Sequence, residues 1–289
     1  MQSKRLRLWI IIGSVLLAII CLFMFLIFFF RVKTVDVEFQ SRLTQAETKL
    51  SQGVQDDVKE YFSYKKNIIL MKFDDEISSI EKDIPFIKVN QVVKHFPRTI
   101  RVYVSERIPK YRVKDNVNAG EWLILDKDFK ILDKVTDENL YLDGLYKNSS
   151  YFKKTVEIKS EIMSVTANIG DFLSDQTEIK SLANEILSGV YGRTEDYLTV
   201  NSILINKENN EYKFNIIIRN LAINDGNGCN IVIDGVDNLL TKVFVGISTF
   251  QEEIKKDSTI NTSDTSIKIY YSNGEYKGIK VVNSSKEQS

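Results

Sequence analysis

The side chains able to do chemistry are few, and their spacing does not assemble a reaction. Ser-x-x-Lys tetrads, the start of one type of serine enzyme, begin at Ser63, Ser79 and Ser150, but none is joined by a K-T-G strand or an S-D-N loop. Asp126, Asp128 and Asp133 cluster in the manner of calcium ligands, yet they lack the glycine and distal glutamate of an EF-hand loop, so a charged hairpin is expected there. His95 is the single histidine and lies at a strand end, read as an ordinary partly exposed residue. Glu106 and Arg107 are read as a solvated pair or a hinge anchor, because spacing fixes no second carboxylate beside them. No enzyme, metal or cofactor is expected.

The elements that hold these residues begin with Leu8 to Phe30, LWIIIGSVLLAIICLFMFLIFFF, which carries no charge. A helix of that length reaches about 35 Å against a hydrocarbon core of about 30 Å, so it spans a membrane once. Lys4, Arg5 and Arg7 precede it without an acid, which places the N-terminus in the cytoplasm and the bulk of the chain outside. A cleaved secretory signal is the competing reading, but Phe28, Phe29 and Phe30 stand where small residues would be needed.

Lys and Arg total 39, as do Asp and Glu, so no global field draws the chain to nucleic acid, and none is expected as a partner. Of the two cysteines, Cys21 lies in the span and Cys229 outside it, so no internal disulfide forms; Cys229 reads as a small buried apolar residue. The N-x-S/T triplets at Asn148, Asn261 and Asn283 carry no argument.

After the span, Val35, Val37 and Phe39 alternate as in a half-buried strand. Residues 43–62 have helical spacing interrupted at Gly53. A second helix opens at Phe73-Asp-Asp-Glu76, buries Ile77, Ile80 and Ile84, and stops at Pro85. Two strands flank Phe96-Pro97. Together these make a small sheet covered by helices on one face.

The pattern carried by Pro85, Ile87, Val92, Pro97, Thr99, Ile100, Val102, Val104, Glu106, Arg107 and Pro109 resembles the polypeptide-transport-associated (POTRA) domain of the FtsQ and DivIB cell-division family. Asn90 stands where that family has a small residue. The resemblance implies an α+β chain: a cytoplasmic tail over residues 1–7, a transmembrane helix over 8–30, and a POTRA domain over 31–106. A strand-rich extracytoplasmic domain over 107–282, with a C-terminal helix and terminal hairpin, and a disordered tail over 283–289 complete it.

Within the second domain, Trp122–Leu125 and Phe129–Leu132 are expected to pair, Phe129 replacing the family's turn glycine, and residues 140–145 are similar to its L-P-x-x-x-G without the proline. Asp175 and Glu178 are expected to cap a helix ending at residues 189–192. A meander should run from Leu198 to Ile233. A helix over 238–256 should then bury Leu239, Leu240, Val243, Phe244, Ile247, Phe250 and Ile254.

The resemblance also implies a non-catalytic scaffold of the division septum that binds FtsB/DivIC-like and FtsL-like single-span partners and helps regulate septal peptidoglycan synthesis, with the septal peptidoglycan synthase and membrane lipid as further partners. The family contacts its FtsB-type partner through a Tyr followed three residues later by Gly, matched by Tyr271 and Gly274. The partner surface is therefore placed on Ile267, Ile269, Tyr270, Tyr271, Asn273, Gly274, Tyr276 and Ile279, on strands near a sheet edge. An export-side sensor or scaffold unrelated to division, and a membrane-anchored serine hydrolase, are the alternatives. A reporter active only outside the cytoplasm should work when fused after Ser289; activity at Met1 instead would reverse the orientation.

Overall fold

A computed structural model describes residues 2–40, 47–63, 67–114, 121–135, 155–161, 163, 168–191, 198–220, 228–257 and 265–282. Residues 43–46, 140–145 and 283–289, the Ser150 tetrad and the three N-x-S/T triplets lie outside that set. The described chain mixes helices and strands and divides into two compact units, Met1–Arg107 and Ile108–Ser289.

The first unit opens with helix α1 (Gln2–Phe29), of which Trp9–Phe29 is long and apolar enough to cross a membrane. Its side chains from Trp9 to Phe29 are exposed. A helix end leaves its last carbonyls without helical partners, and here the folded unit supplies them. Asn67 Nδ2 donates to the carbonyls of Leu26 (3.1 Å) and Ile27 (3.3 Å). Arg98 donates to those of Phe29 through Nε (2.7 Å) and Phe28 through an η nitrogen (3.4 Å).

Strand β1 (Thr34–Phe39) follows, then helices α2 (Glu47–Ser63) and α3 (Asp74–Asp83), then β2 (Ile87–His95) and β3 (Thr99–Glu106). The sheet order is β1-β3-β2, with β1 parallel and β2 antiparallel to the central β3. Helix α2 runs unbroken through Gly53. Asp74, Asp75 and Glu76 occupy the first turn of α3, where negative charge suits the helix dipole. The core gathers Val58, Phe62, Ile80, Ile100, Val102 and Val104.

Asn90 sits in a bulge that shifts the β2–β3 register between Val89 and Gln91. Its side chain donates to Gln40 Oε1 (2.8 Å) and accepts from Ser105 Oγ (3.2 Å), uses that a small residue could not fill. Of the two readings of Glu106 and Arg107, a solvated pair or a hinge anchor, the first fails for Arg107. Its guanidinium is buried, bonded to Glu81 Oε2 at 2.7 Å and to the Ile87 carbonyl at 3.3 Å. Glu81 also accepts from the Val89 amide, so a charge taken out of water is neutralised and bonded on several sides. These bonds close the first unit at Arg107, one residue beyond the expected limit.

The second unit is built on a nine-stranded sheet in the order β12-β11-β10-β9-β8-β7-β4-β5-β6. Its strands are β4 (Tyr111–Lys114), β5 (Trp122–Leu125), β6 (Ile131–Val135), β7 (Val156–Lys159), β8 (Leu198–Glu208), β9 (Glu211–Asn220), β10 (Cys229–Asp234), β11 (Thr265–Ser272) and β12 (Glu275–Val282). Neighbours pair antiparallel except β4–β7, β7–β8 and β10–β11. Helices α4 (Thr177–Tyr191) and α5 (Leu239–Lys256) join the sheet in one hydrophobic core.

A 3-10 turn over Ser174–Gln176 leads into α4, so Asp175 precedes the helix within that turn, and α4 passes through Gly189 to Tyr191. Phe129 adopts a left-handed φ of 61° between β5 and β6; its ring is fully buried against Tyr111, 5.2 Å away, which offsets the backbone cost of lacking glycine. Asp126 turns inward too, accepting from the amides of Asp128 and Lys130. On α5, Leu239, Val243, Ile247 and Phe250 form the buried stripe, but Leu240 and Phe244 are exposed, one helical position off it. Lys242 is buried instead.

Val102, fully buried at the centre of β3, tests the first core. Val102→Asp would place an unpaired carboxylate among apolar groups, at roughly a few kcal/mol, comparable with a small domain's stability. Denaturant melts of the detergent-solubilised chain should show the first unit unfolding early; a parental profile would mean that Val102 meets water.

Candidate partner-binding site

Strands β11 and β12 pair in unbroken register from Thr265↔Val282 to Ser272↔Glu275. Asn273 and Gly274 link them with φ of 56° and 83°, the left-handed pair that a tight two-residue turn demands. Beyond β12 no described strand continues the sheet, so β12 is its edge. Every second residue of such a strand directs its N–H and C=O away from its neighbour.

The expected partner residues divide between two faces. Ile267 is fully buried, which takes its side chain out of a partner's reach, while Ile269 is partly buried against the same core. They stand on the α5 side because pleating sends alternate residues of β11 to opposite faces. Tyr271 and Tyr276 share that side at the turn, their rings 5.1 Å apart and inclined at 62°. Tyr270 and Ile279 face the other way and are exposed. Tyr271 is 64% and Ile279 51% accessible, large values for such apolar bodies.

Tyr276 is anchored by groups that lie far from it in sequence. Its hydroxyl donates to Asp237 Oδ2 (2.9 Å) and accepts from Asn238 Nδ2 (3.3 Å), while the Lys242 ammonium lies over its ring at 5.4 Å. Lys242 Nζ also donates to Asp237 Oδ1 (3.0 Å) and the Asp234 carbonyl (2.6 Å). The Lys242 ammonium first, then the Tyr276 hydroxyl, hold the Asp237 carboxyl below its ordinary value.

Gly278 lies where β12 crosses α5. A Cβ there would stand 2.2 Å from Thr249 Oγ1 and 2.9 Å from Thr249 Cβ. Glycine within a strand commonly marks such a close approach, the one signal in the sequence that could have found this contact. Lys280 Nζ secures the far end of β12 on Asp257 Oδ2 at 3.1 Å.

On the sheet face away from α5 lies a concavity of about 670 Å³, lined by Asn206, Lys213, Asn215, Lys268, Tyr270 and Ile279 among others. The remaining sequence candidates do not converge on it. Ser79 and Lys82 are exposed on α3, His95 is exposed at the end of β2, and the Ser63 tetrad extends outside the described residues. Among the described residues no group of three His, Cys, Asp or Glu side chains could hold a metal. Cys229 is buried; burial pushes its thiol up to about 12, so it stays protonated at neutral pH. Pro85 follows α3, Pro97 forms a cis bond with Phe96 in the β2–β3 turn, Thr99 and Glu106 bound β3, and Pro109 falls within the second unit.

Compared with known proteins, the chain matches no family model and no curated protein.

Two measurements follow from this packing. Gly278→Ala should cost about 1–3 kcal/mol in a denaturant melt as β12 is pushed from Thr249, and parental stability would refute the close approach. Asp237 has a lowered folded-state value, so its contribution is complete above its unfolded value of about 4 and fades as pH falls through the folded one. The stability gap between the parent and Asp237→Asn should therefore shrink in acid; a gap independent of pH would break the assignment.

Proposed function

We propose that the protein is a non-catalytic, single-span membrane scaffold that binds its partner by taking a strand onto β12. One observation carries this reading: among the described residues β12 is the outermost strand of the sheet, and exposed Tyr270, Tyr271 and Ile279 stand beside it. An added strand satisfies the outward N–H and C=O groups, and side chains on both faces supply selectivity.

The resemblance to FtsQ and DivIB gives this scaffold its setting. The N-terminus is cytoplasmic, the bulk extracytoplasmic, and the partners are FtsB/DivIC-like and FtsL-like proteins at the division septum. The element order of the first unit, strand-helix-helix-strand-strand, supports a POTRA domain there. Binding on the outer side of the septal membrane places the protein where it can help regulate the peptidoglycan synthase.

Tyr271→Ala and Ile279→Glu, made separately, test the surface through capture of a co-expressed FtsB/DivIC-like partner. Each should weaken capture about tenfold or more, equivalent to ~1.4 kcal/mol. Thermal midpoints should stay within about 2 °C of the parent, as for exposed positions. Undiminished capture by both folded variants would place the contact elsewhere, and absence from septa would detach the scaffold from division.

A further inference from the structure

We propose that Ile69, Leu70 and Phe96 form a membrane-docking surface that lies in the lipid leaflet at which α1 ends, holding the first unit against the bilayer. The inference rests on reading α1 as a membrane span. These side chains are 47%, 77% and 60% accessible, and all three belong to turns attached to the last turn of that helix.

The first turn is fixed through Asn67. While its Nδ2 donates to the Leu26 and Ile27 carbonyls, its Oδ1 accepts from the Ile69 amide (2.9 Å), and its own carbonyl accepts from the Leu70 and Met71 amides. The Ile68 amide donates to the Phe30 carbonyl at 2.8 Å. Ile69 and Leu70 therefore follow directly on residues bonded to the helix end.

The second turn is fixed through Arg98 and Phe96. Arg98 caps the Phe28 and Phe29 carbonyls, and the Phe96 ring meets the Phe30 ring edge-on at 6.1 Å. Lys94 joins the two turns, its Nζ donating to the Met71 carbonyl at 2.9 Å. Both turns thus lie at the same end of α1, where one helical turn rises only about 5.4 Å.

Lipid is the occupant because the apolar surface is continuous with that of α1. The exposed side chains of the helix end at Phe29, and Phe96 and Leu70 begin where its last carbonyls are capped. The polar groups between them, Asn67 and Arg98, direct their donors to those carbonyls. Charge fits as well: residues 64–73 and 91–105 contain lysines and arginines but no acidic residue, as suits anionic headgroups. Amphipathic surfaces of this kind settle at the headgroup–acyl boundary.

The full chain, carrying Cys21→Ala and reconstituted in vesicles of phosphatidylethanolamine and phosphatidylglycerol, provides the test. Spin labels are placed singly at Leu70→Cys, Phe96→Cys, Leu16→Cys within the span, and Lys82→Cys on the exposed last turn of α3; the buried Cys229 remains. Each label's collision rates with oxygen and with a water-soluble nickel chelate report its depth. The ratio of oxygen to nickel accessibility at 70 and 96 should exceed that at 82 severalfold. Ratios at 70 and 96 equal to that at 82, with position 16 in hydrocarbon, would overturn the docking surface and leave the span standing. A water-like label at 16 would overturn the span and the proposal with it. Shielding of 70 and 96 from both reagents would mean that protein covers them, and would overturn lipid as the occupant.

Discussion

Every backbone N–H and C=O must find a partner or meet water, and this requirement organises both units of the chain. At the end of α1 the four successive carbonyls from Leu26 to Phe29 accept from two side chains, Asn67 and Arg98, that lie far from them in sequence, Leu26 accepting from the Phe30 amide as well. Within the two sheets, the strand ladders pair neighbouring backbones. Among the described residues the ladder stops at β12, whose outer groups face away from β11. The first place ties a membrane-length helix to a folded unit, and the last is where the proposed partner strand joins.

The two sheets are stabilised differently. The first unit has a three-stranded sheet and a small core, and adds the buried Arg107–Glu81 pair, whose carboxylate also holds the Val89 amide. Removing either partner would strand a charge out of water, so the pair fixes how β2, β3 and α3 meet. The second unit draws on a larger core of branched and aromatic side chains between sheet, α4 and α5. There the polar contacts gather at the rim, where Asp237, Lys242 and Asp257 hold the two ends of β12 against α5. A strand so anchored keeps a fixed shape, which lowers the ordering cost of the proposed strand addition.

Local patterns were legible in the residues. The charge-free run from Leu8 to Phe30, the alternation in β8 and β9, and the stripe Leu239, Val243, Ile247, Phe250 each follow from one period of one element. Contacts between distant segments were not. Nothing in the sequence near Arg107 points to Glu81, nor near Tyr276 to Asp237, because each pair meets only after the strands are ordered. The parallel pairing of β10 with β11, and of β7 with β4 and β8, is equally silent in sequence. Ile267 shows the cost at the candidate site: alternation put it on a face with Tyr271, but only the placement of α5 decides that one is buried and the other exposed.

Hydrogen exchange along β12 tests the central claim most directly, by comparing the isolated protein with its co-purified partner complex. The amides from Glu275 to Val282 that point away from β11 should exchange fast in the isolated chain and become strongly protected in the complex, while those bonded to β11 stay slow in both. Outward amides that are already slow in the isolated protein, or that stay fast in the complex, would contradict strand addition at this edge.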